Sequence, residues 1–287
     1  MNDMISPLIN EIKNLEHEFI GLVQQRFGIV IHMNQTQTLI DHIAQSCALG
    51  KMTPRSYLQQ LQMASNKSPE VSQLVAAITV GESYFFRDAS QMTLLQEHLL
   101  PRLIKKNEQS QRLKIWSAGC AAGEEIYTVL MQLQELLPNC ADWDLQLLAT
   151  DINTEALAKA QSGLYGEWSM RTIPRKYLQR YFIKDGQKYL FQSPLRERVH
   201  FAYLNLIDHA YPSILTATID IDLILCRNVL IYFANDTGVN IVRNLSHCMA
   251  PEAVLLLGAS DPIVTPDTGL QFHHNGAIYF TRAEISP

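Results

Sequence analysis

Lys114–Glu125, Lys-Ile-Trp-Ser-Ala-Gly-Cys-Ala-Ala-Gly-Glu-Glu, runs from an apolar stretch through small residues into two consecutive acids. Small side chains at 118–123 let a backbone approach a ligand closely. The glycines, Gly119 and Gly123, follow a Gly-x-x-x-Gly spacing, not the Gly-x-Gly-x-x-Gly that cradles a pyrophosphate. Glu124 and Glu125 would repel a phosphate but would welcome an amine, another cation or a hydroxyl. The plainer reading is a tight strand-to-helix turn whose acids suit the helix dipole. Asp151 follows Gly123 by 28 residues and ends a second apolar run. An acid at such a strand tip accepts both hydroxyls of a ribose. Its alternative role is to cap the next helix, for which Asn153 and Thr154 are better placed. An acidic loop with a strand-tip acid points to adenosine without phosphates, as in S-adenosylmethionine.

These residues need a scaffold that brings strand ends together. Leu113–Ser117, Leu145–Thr150, Ile221–Leu225 and Ala253–Leu257 are short apolar runs. Helical patterns at Gly123–Leu137, Thr154–Gln161 and Asn235–Met249 separate them. That alternation predicts an α/β fold, a mostly parallel sheet with helices on both faces. The first 80 residues differ. Leu8, Ile12, Leu15, Phe19, Leu22 and Val23 recur at helical spacing, with Gly28 as a stop. Helices near 36–49 and 54–63 follow, the second with Thr53 as N-cap and Pro54 at its first position. A fourth opens at Ser68-Pro69. The expected organisation is a small helical domain over 1–80 and a larger α/β domain over 81–287. Lys188–Tyr203 reads as two short strands around a turn, giving a small β subdomain over 183–203.

Composition narrows the function. The chain of 287 residues is 47% hydrophobic, with 23 basic and 28 acidic residues and a net charge of −5. No positive surplus is available to hold nucleic acid. Apolar runs fall far short of the roughly 20 residues a membrane span needs, and Met1–Lys13 has no signal-peptide core. Five cysteines without a Cys-x-x-Cys pair fit reduced thiols, so a cytoplasmic location is expected. Nine histidines show no ligand spacing, and no metal site is expected.

Four blocks resemble the CheR-type methyltransferases that modify chemotaxis receptors. Thr79–Arg87 (TVGESYFFR) is similar to their Phe-Phe-Arg segment, and Trp116–Glu125 to their cofactor loop. Asp151–Tyr165 and Cys226–Phe233 (CRNVLIYF) resemble two further signatures. The similarity spans roughly residues 15–282. It implies a Rossmann-like S-adenosylmethionine methyltransferase domain, a helical N-terminal domain and a small β-hairpin subdomain. It implies methyl transfer to glutamate side chains of a chemoreceptor-type partner.

The resemblance also implies roles. Ser83, Arg87, Glu125, Asp151, Asn205, Leu206, Arg227 and Asn228 would contact the cofactor. Gly81 stands where many relatives carry Asn, so a backbone contact would replace a side-chain one. Arg87 and Arg227 could each clamp a carboxylate, of cofactor or substrate. Tyr232 matches a tyrosine beside the reactive methyl, though core packing is equally open. Phe85 and Phe86 are read as core, and Cys120 and Cys226 as packing residues. Two departures concern the partner. The helix over Gln37–Leu49 carries Asp41 and His42 but no arginine or lysine. The hairpin at Ile183–Phe191 is short, which argues against binding a receptor's C-terminal tether. A nicotinamide dehydrogenase would need the phosphate loop that is absent. A nucleic-acid methyltransferase would need Asn/Asp-Pro-Pro-Tyr/Phe or paired catalytic cysteines, also absent. The remaining rival is a non-catalytic scaffold that binds the cofactor.

Overall fold

The computed structural model describes residues 2–79, 82–262 and 268–282. It divides into two compact units. The first comprises Met1–Gly81 with the short segments Asn153–Glu155 and Tyr232–Ala234. Its helices are α1 (Asn2–Phe27), α2 (Met33–Gly50), α3 (Pro54–Met63) and α4 (Pro69–Ile78). Ile12, Leu15, Phe19, Leu22 and Val23 form the buried stripe that their spacing predicts. Gly28 ends α1 at φ +71°, and Thr53 caps α3 by accepting the Ser56 N–H at 3.2 Å. Arg26 closes the other end of α3. Its guanidinium donates to the carbonyls of Leu61 and Ala64, which have no helical partner left.

The second unit opens with α5 (Ala89–Leu94) and α6 (Leu100–Lys106). There follow β1 (Arg112–Ala118), α7 (Glu124–Leu136), β2 (Asp144–Asp151), α8 (Thr154–Ser162), β3 (Leu164–Gly166), α9 (Glu167–Met170) and α10 (Arg175–Tyr181). Then come β4 (Phe182–Asp185), β5 (Lys188–Phe191), β6 (Val199–Tyr203), β7 (Ile221–Cys226), α11 (Asn235–Cys248), β8 (Met249–Leu257), β9 (Leu270–Asn275) and β10 (Ala277–Arg282). Seven strands form one sheet in the order β6-β2-β1-β7-β8-β10-β9. The five from β6 to β8 are parallel, and β10 and β9 close the far edge antiparallel.

Burial on both faces explains why the parallel strands read as unbroken apolar runs. Leu113, Ile115, Leu147, Leu223, Leu225 and Leu256 join one core with Ile126, Val129, Leu130 and Leu133 of α7. Trp116, Leu148, Ile224 and Leu255, the intervening positions of their strands, are also buried. The Trp116 indole N–H donates to Thr150 Oγ1 at 2.9 Å, so its burial strands no donor.

The stretch Lys188–Tyr203 differs from its reading as a local strand pair. Lys188–Phe191 pairs with Phe182–Asp185 across a turn at Gly186 (φ +59°), and β3 completes a separate three-stranded sheet in the order β3-β5-β4. Val199–Tyr203 instead extends the main sheet beside β2. Asp185-Gly186 is the turn signal that decides the pairing. Among the described residues no helix is long and apolar enough to cross a membrane.

Candidate functional site

The strand order reverses between β1 and β7, and in open α/β sheets ligands bind at the carboxyl ends of strands at such a point. The loop after β1 is folded back onto the tip of β2. The N–H groups of Gly119 and Cys120 both donate to the Thr150 carbonyl, at 2.8 and 2.9 Å. The Ala121 N–H donates to Asp151 Oδ2 at 2.8 Å. Gly119 has φ +79°, and a Cβ there would lie 2.4 Å from Val229 Cγ2, so only glycine fits. The Asp151 carbonyl in turn accepts the Leu204 N–H at 3.2 Å. That bond brings buried Asn205 and Leu206 beside the strand-tip acid.

The two acids opening α7 diverge. Glu124 is buried and accepts from Ser169 Oγ at 2.9 Å. Glu125 accepts from Ser117 Oγ at 2.7 Å and pairs with Arg227 Nη1 at 3.0 Å. Arg227 is enclosed, with 3% of its side chain exposed. Its Nε donates to Gln91 Oε1 and its Nη2 to the Arg87 carbonyl at 2.6 Å. Gln91 also donates to the Leu257 carbonyl at 2.7 Å, tying the ends of β7 and β8 to α5.

Arg87 is placed differently. It is half-buried, Nη1 donates to the Glu82 carbonyl, and its guanidinium lies 5.7 Å from the Tyr84 ring centre. It takes part in none of the ion pairs among the described residues. The segment carrying it is clipped on two sides. Phe85 N–H donates to the Ser169 carbonyl, Thr172 Oγ1 to the Phe85 carbonyl, and Phe86 N–H to Thr128 Oγ1. Phe85 packs edge-on against Tyr165 and Phe182, and Phe86 meets Tyr177 at 4.6 Å. Both rings are core, as expected. Ser83 sits half-buried on the same segment.

Asn228 follows Arg227 in a left-handed conformation (φ +57°). Its N–H and that of Gly258 both donate to Asp261 Oδ2 at 2.7 Å. Burial pushes the Asp261 carboxyl up from its ordinary value, and the N–H groups of Gly258, Asn228, Ile231 and Leu230 hold it down. Burial pushes the Cys120 and Cys226 thiols well up, which suits packing residues held as thiols. No group of His, Cys, Asp and Glu among the described residues could hold a metal ion.

Within the second unit, then, Ser83, Arg87, Glu125, Asp151, Asn205, Leu206, Arg227 and Asn228 stand on the strand-end loops or on the segment bound to them. Tyr232 belongs to the first unit, where its carbonyl accepts the Val30 N–H at 2.9 Å. Gly81 lies outside the described residues. Gln91 and Asp261 escaped the sequence reading. Gln91 carries no signal there, whereas Asp261 lies in the loop after β8, three residues beyond Gly258, where a strand-end acid could have been noticed. The donor set fits S-adenosylmethionine. Carboxylates surround the β1 loop, each oxygen able to accept more than one hydrogen bond, and suit ribose hydroxyls and cations while disfavouring phosphate.

Fold and site together define an open α/β protein whose candidate site lies at the carboxyl ends of its parallel strands. Residues 81–277 match the family described as CheR methyltransferase, SAM binding domain. A chemotaxis protein methyltransferase of Borreliella burgdorferi is 30% identical over 262 residues, 89% of this chain and 90% of that protein. Chemotaxis protein methyltransferase 1 of Pseudomonas aeruginosa is 36% identical over 195 residues, 66% of this chain and 69% of that protein. The Escherichia coli chemotaxis protein methyltransferase is 30% identical, covering 84% and 81%. The chain belongs to the CheR family of S-adenosylmethionine-dependent methyltransferases.

Proposed function

We propose that this protein transfers the methyl group of S-adenosylmethionine to glutamate side chains of a chemoreceptor-type protein, giving glutamate methyl esters. The observation that carries this reading is the unequal placement of the two arginines. Arg227 is enclosed, with each of its three nitrogens donating to Gln91, Glu125 or the Arg87 carbonyl, whereas Arg87 makes no ion pair among the described residues. Arg87 is therefore the guanidinium available to clamp the carboxylate of the cofactor or of an incoming glutamate. S-adenosylmethionine supplies an electrophilic methyl that a carboxylate oxygen displaces from sulfur, leaving a neutral ester and S-adenosylhomocysteine. A glutamate with a pKa near 4.3 is already ionised, so the protein need hold no general base.

The chain's own residues orient and exclude water. Asp151 would accept the ribose hydroxyls, Asn205 and Leu206 would lie near the adenine, Arg227 and Asn228 under the methionine end, and Glu125 would be a further cofactor contact. Alignment of this kind can supply about 7–11 kcal/mol. Recognition of the partner is proposed to rest on shape and apolar contact rather than on a tether or on α2, which has no arginine or lysine. The outer strand β4 offers an added peptide only four residues of edge. The test is to incubate the protein and labelled S-adenosylmethionine with receptor fragments that have or lack their last few residues. Label in both fragments supports the reading. Cofactor binding with no transfer to any receptor would identify the scaffold instead, and transfer confined to the intact fragment would restore the tether.

A further inference from the structure

We propose that Asp261 is a positioning residue for this site, its carboxylate fixing the turn that presents Arg227 and Asn228. The inference rests on the methyltransferase reading and adds to it a residue that acts through the backbone it holds. The turn after β7 passes through a left-handed residue, Asn228 at φ +57°, a conformation that asparagine adopts more readily than most side chains and that the surrounding hydrogen bonds select here. Asp261 does the holding. Oδ2 accepts the N–H groups of Asn228 and Gly258, both at 2.7 Å, and Oδ1 accepts that of Ile231 at 3.3 Å. One carboxylate thus binds the start and the end of the β7 turn and the end of β8.

Charge-assisted bonds to backbone N–H are stronger than neutral ones and fix geometry as well as energy. The fit between β8 and the turn is also tight. A Cβ at Gly258 would lie 2.5 Å from the Asn228 nitrogen, so β8 and the turn are in direct backbone contact. Gln91 grips the neighbouring Arg227 from α5, which leaves Asp261 as the element that sets Asn228.

The experiment compares the full chain with Asp261→Asn, Asp261→Glu and Gly258→Ala. Each protein is examined for S-adenosylhomocysteine affinity by calorimetry, for amide exchange without ligand, and for thermal unfolding. Asp261→Asn puts an amide donor against backbone donors. It should weaken S-adenosylhomocysteine at least tenfold and speed exchange at Asn228, Leu230 and Ile231. Exchange at Ala121 and Leu204, in the Asp151 half of the site, should stay as in the unaltered chain. Asp261→Glu keeps the carboxylate and should recover part of the affinity. Gly258→Ala pushes a methyl against the Asn228 backbone and should reproduce the defect. Unchanged affinity in a folded Asp261→Asn protein would overturn the proposal. Should that variant not fold, unchanged affinity in Gly258→Ala would overturn it equally. Failure of the unaltered chain to bind S-adenosylhomocysteine would instead refute the function on which the inference rests.

Discussion

Arg87 and Arg227 carry the same charge and lie in equally specific motifs, yet their surroundings assign them opposite work. Removing Arg227 leaves Glu125 without its cation in a largely enclosed position, and breaking a buried pair on one side costs about 3–5 kcal/mol. Arg227→Ala should therefore lower the unfolding midpoint by many degrees as well as abolish transfer. Arg87→Ala should leave the midpoint within a degree or two and lose cofactor affinity or turnover. Thermal unfolding alongside calorimetry separates the two, and equal loss of stability in both variants would contradict this division of labour. The thiols give a second check at this scale. All five cysteines are buried, with Cys47 pushed up to about 11 and Cys248 to about 12. Because a raised pKa keeps the thiol protonated, none should react with an aromatic disulfide at pH 8 until denaturant is added. Rapid reaction of the native protein would refute the packing assigned to them.

The loop from β1 to α7 works as an element because its backbone is left-handed at Gly119, Ala121 and Gly123 and is anchored to Thr150 and Asp151. Gly119→Ala should cost about 1–2 kcal/mol from the backbone conformation alone, with a further cost from the Val229 clash. Adding Val229→Ala should restore only the second part, which denaturant unfolding of the three proteins would resolve. Full restoration would mean that φ at this position is not constrained. What could be read in advance follows from burial. The strands β1, β2, β7 and β8 show as apolar runs because helices cover both their faces, and the first unit shows its 3.6-residue stripe. The strands β9 and β10 were not legible. Leu270–Asn275 is mostly exposed and reads as Leu-Gln-Phe-His-His-Asn, without an apolar run or a clean alternation. In the site, local spacing revealed the acidic loop and Asp151. It could not reveal that Glu125 meets Arg227, 102 residues away, because a pairing at that separation exists only once the sheet has formed.

At the scale of the whole molecule the charge balance bears on how a partner is met. The net charge of −5 and the absence of lysine and arginine from α2 predict that methyl transfer responds weakly to ionic strength. A steep fall with salt would direct attention to the exposed cations Arg175, Lys176, Lys184 and Lys188 on α10, β4 and β5. What sets a glutamate methyltransferase apart is the bond it makes. A carboxylate that takes a methyl becomes an ester, which dilute base cleaves, whereas methylated nitrogen or sulfur survives the same treatment. The decisive measurement is transfer of tritiated methyl from S-adenosylmethionine to a receptor's cytoplasmic fragment, followed by mild alkali and collection of the volatile product. The label should leave as methanol. Label that stays on the receptor through base would contradict ester formation.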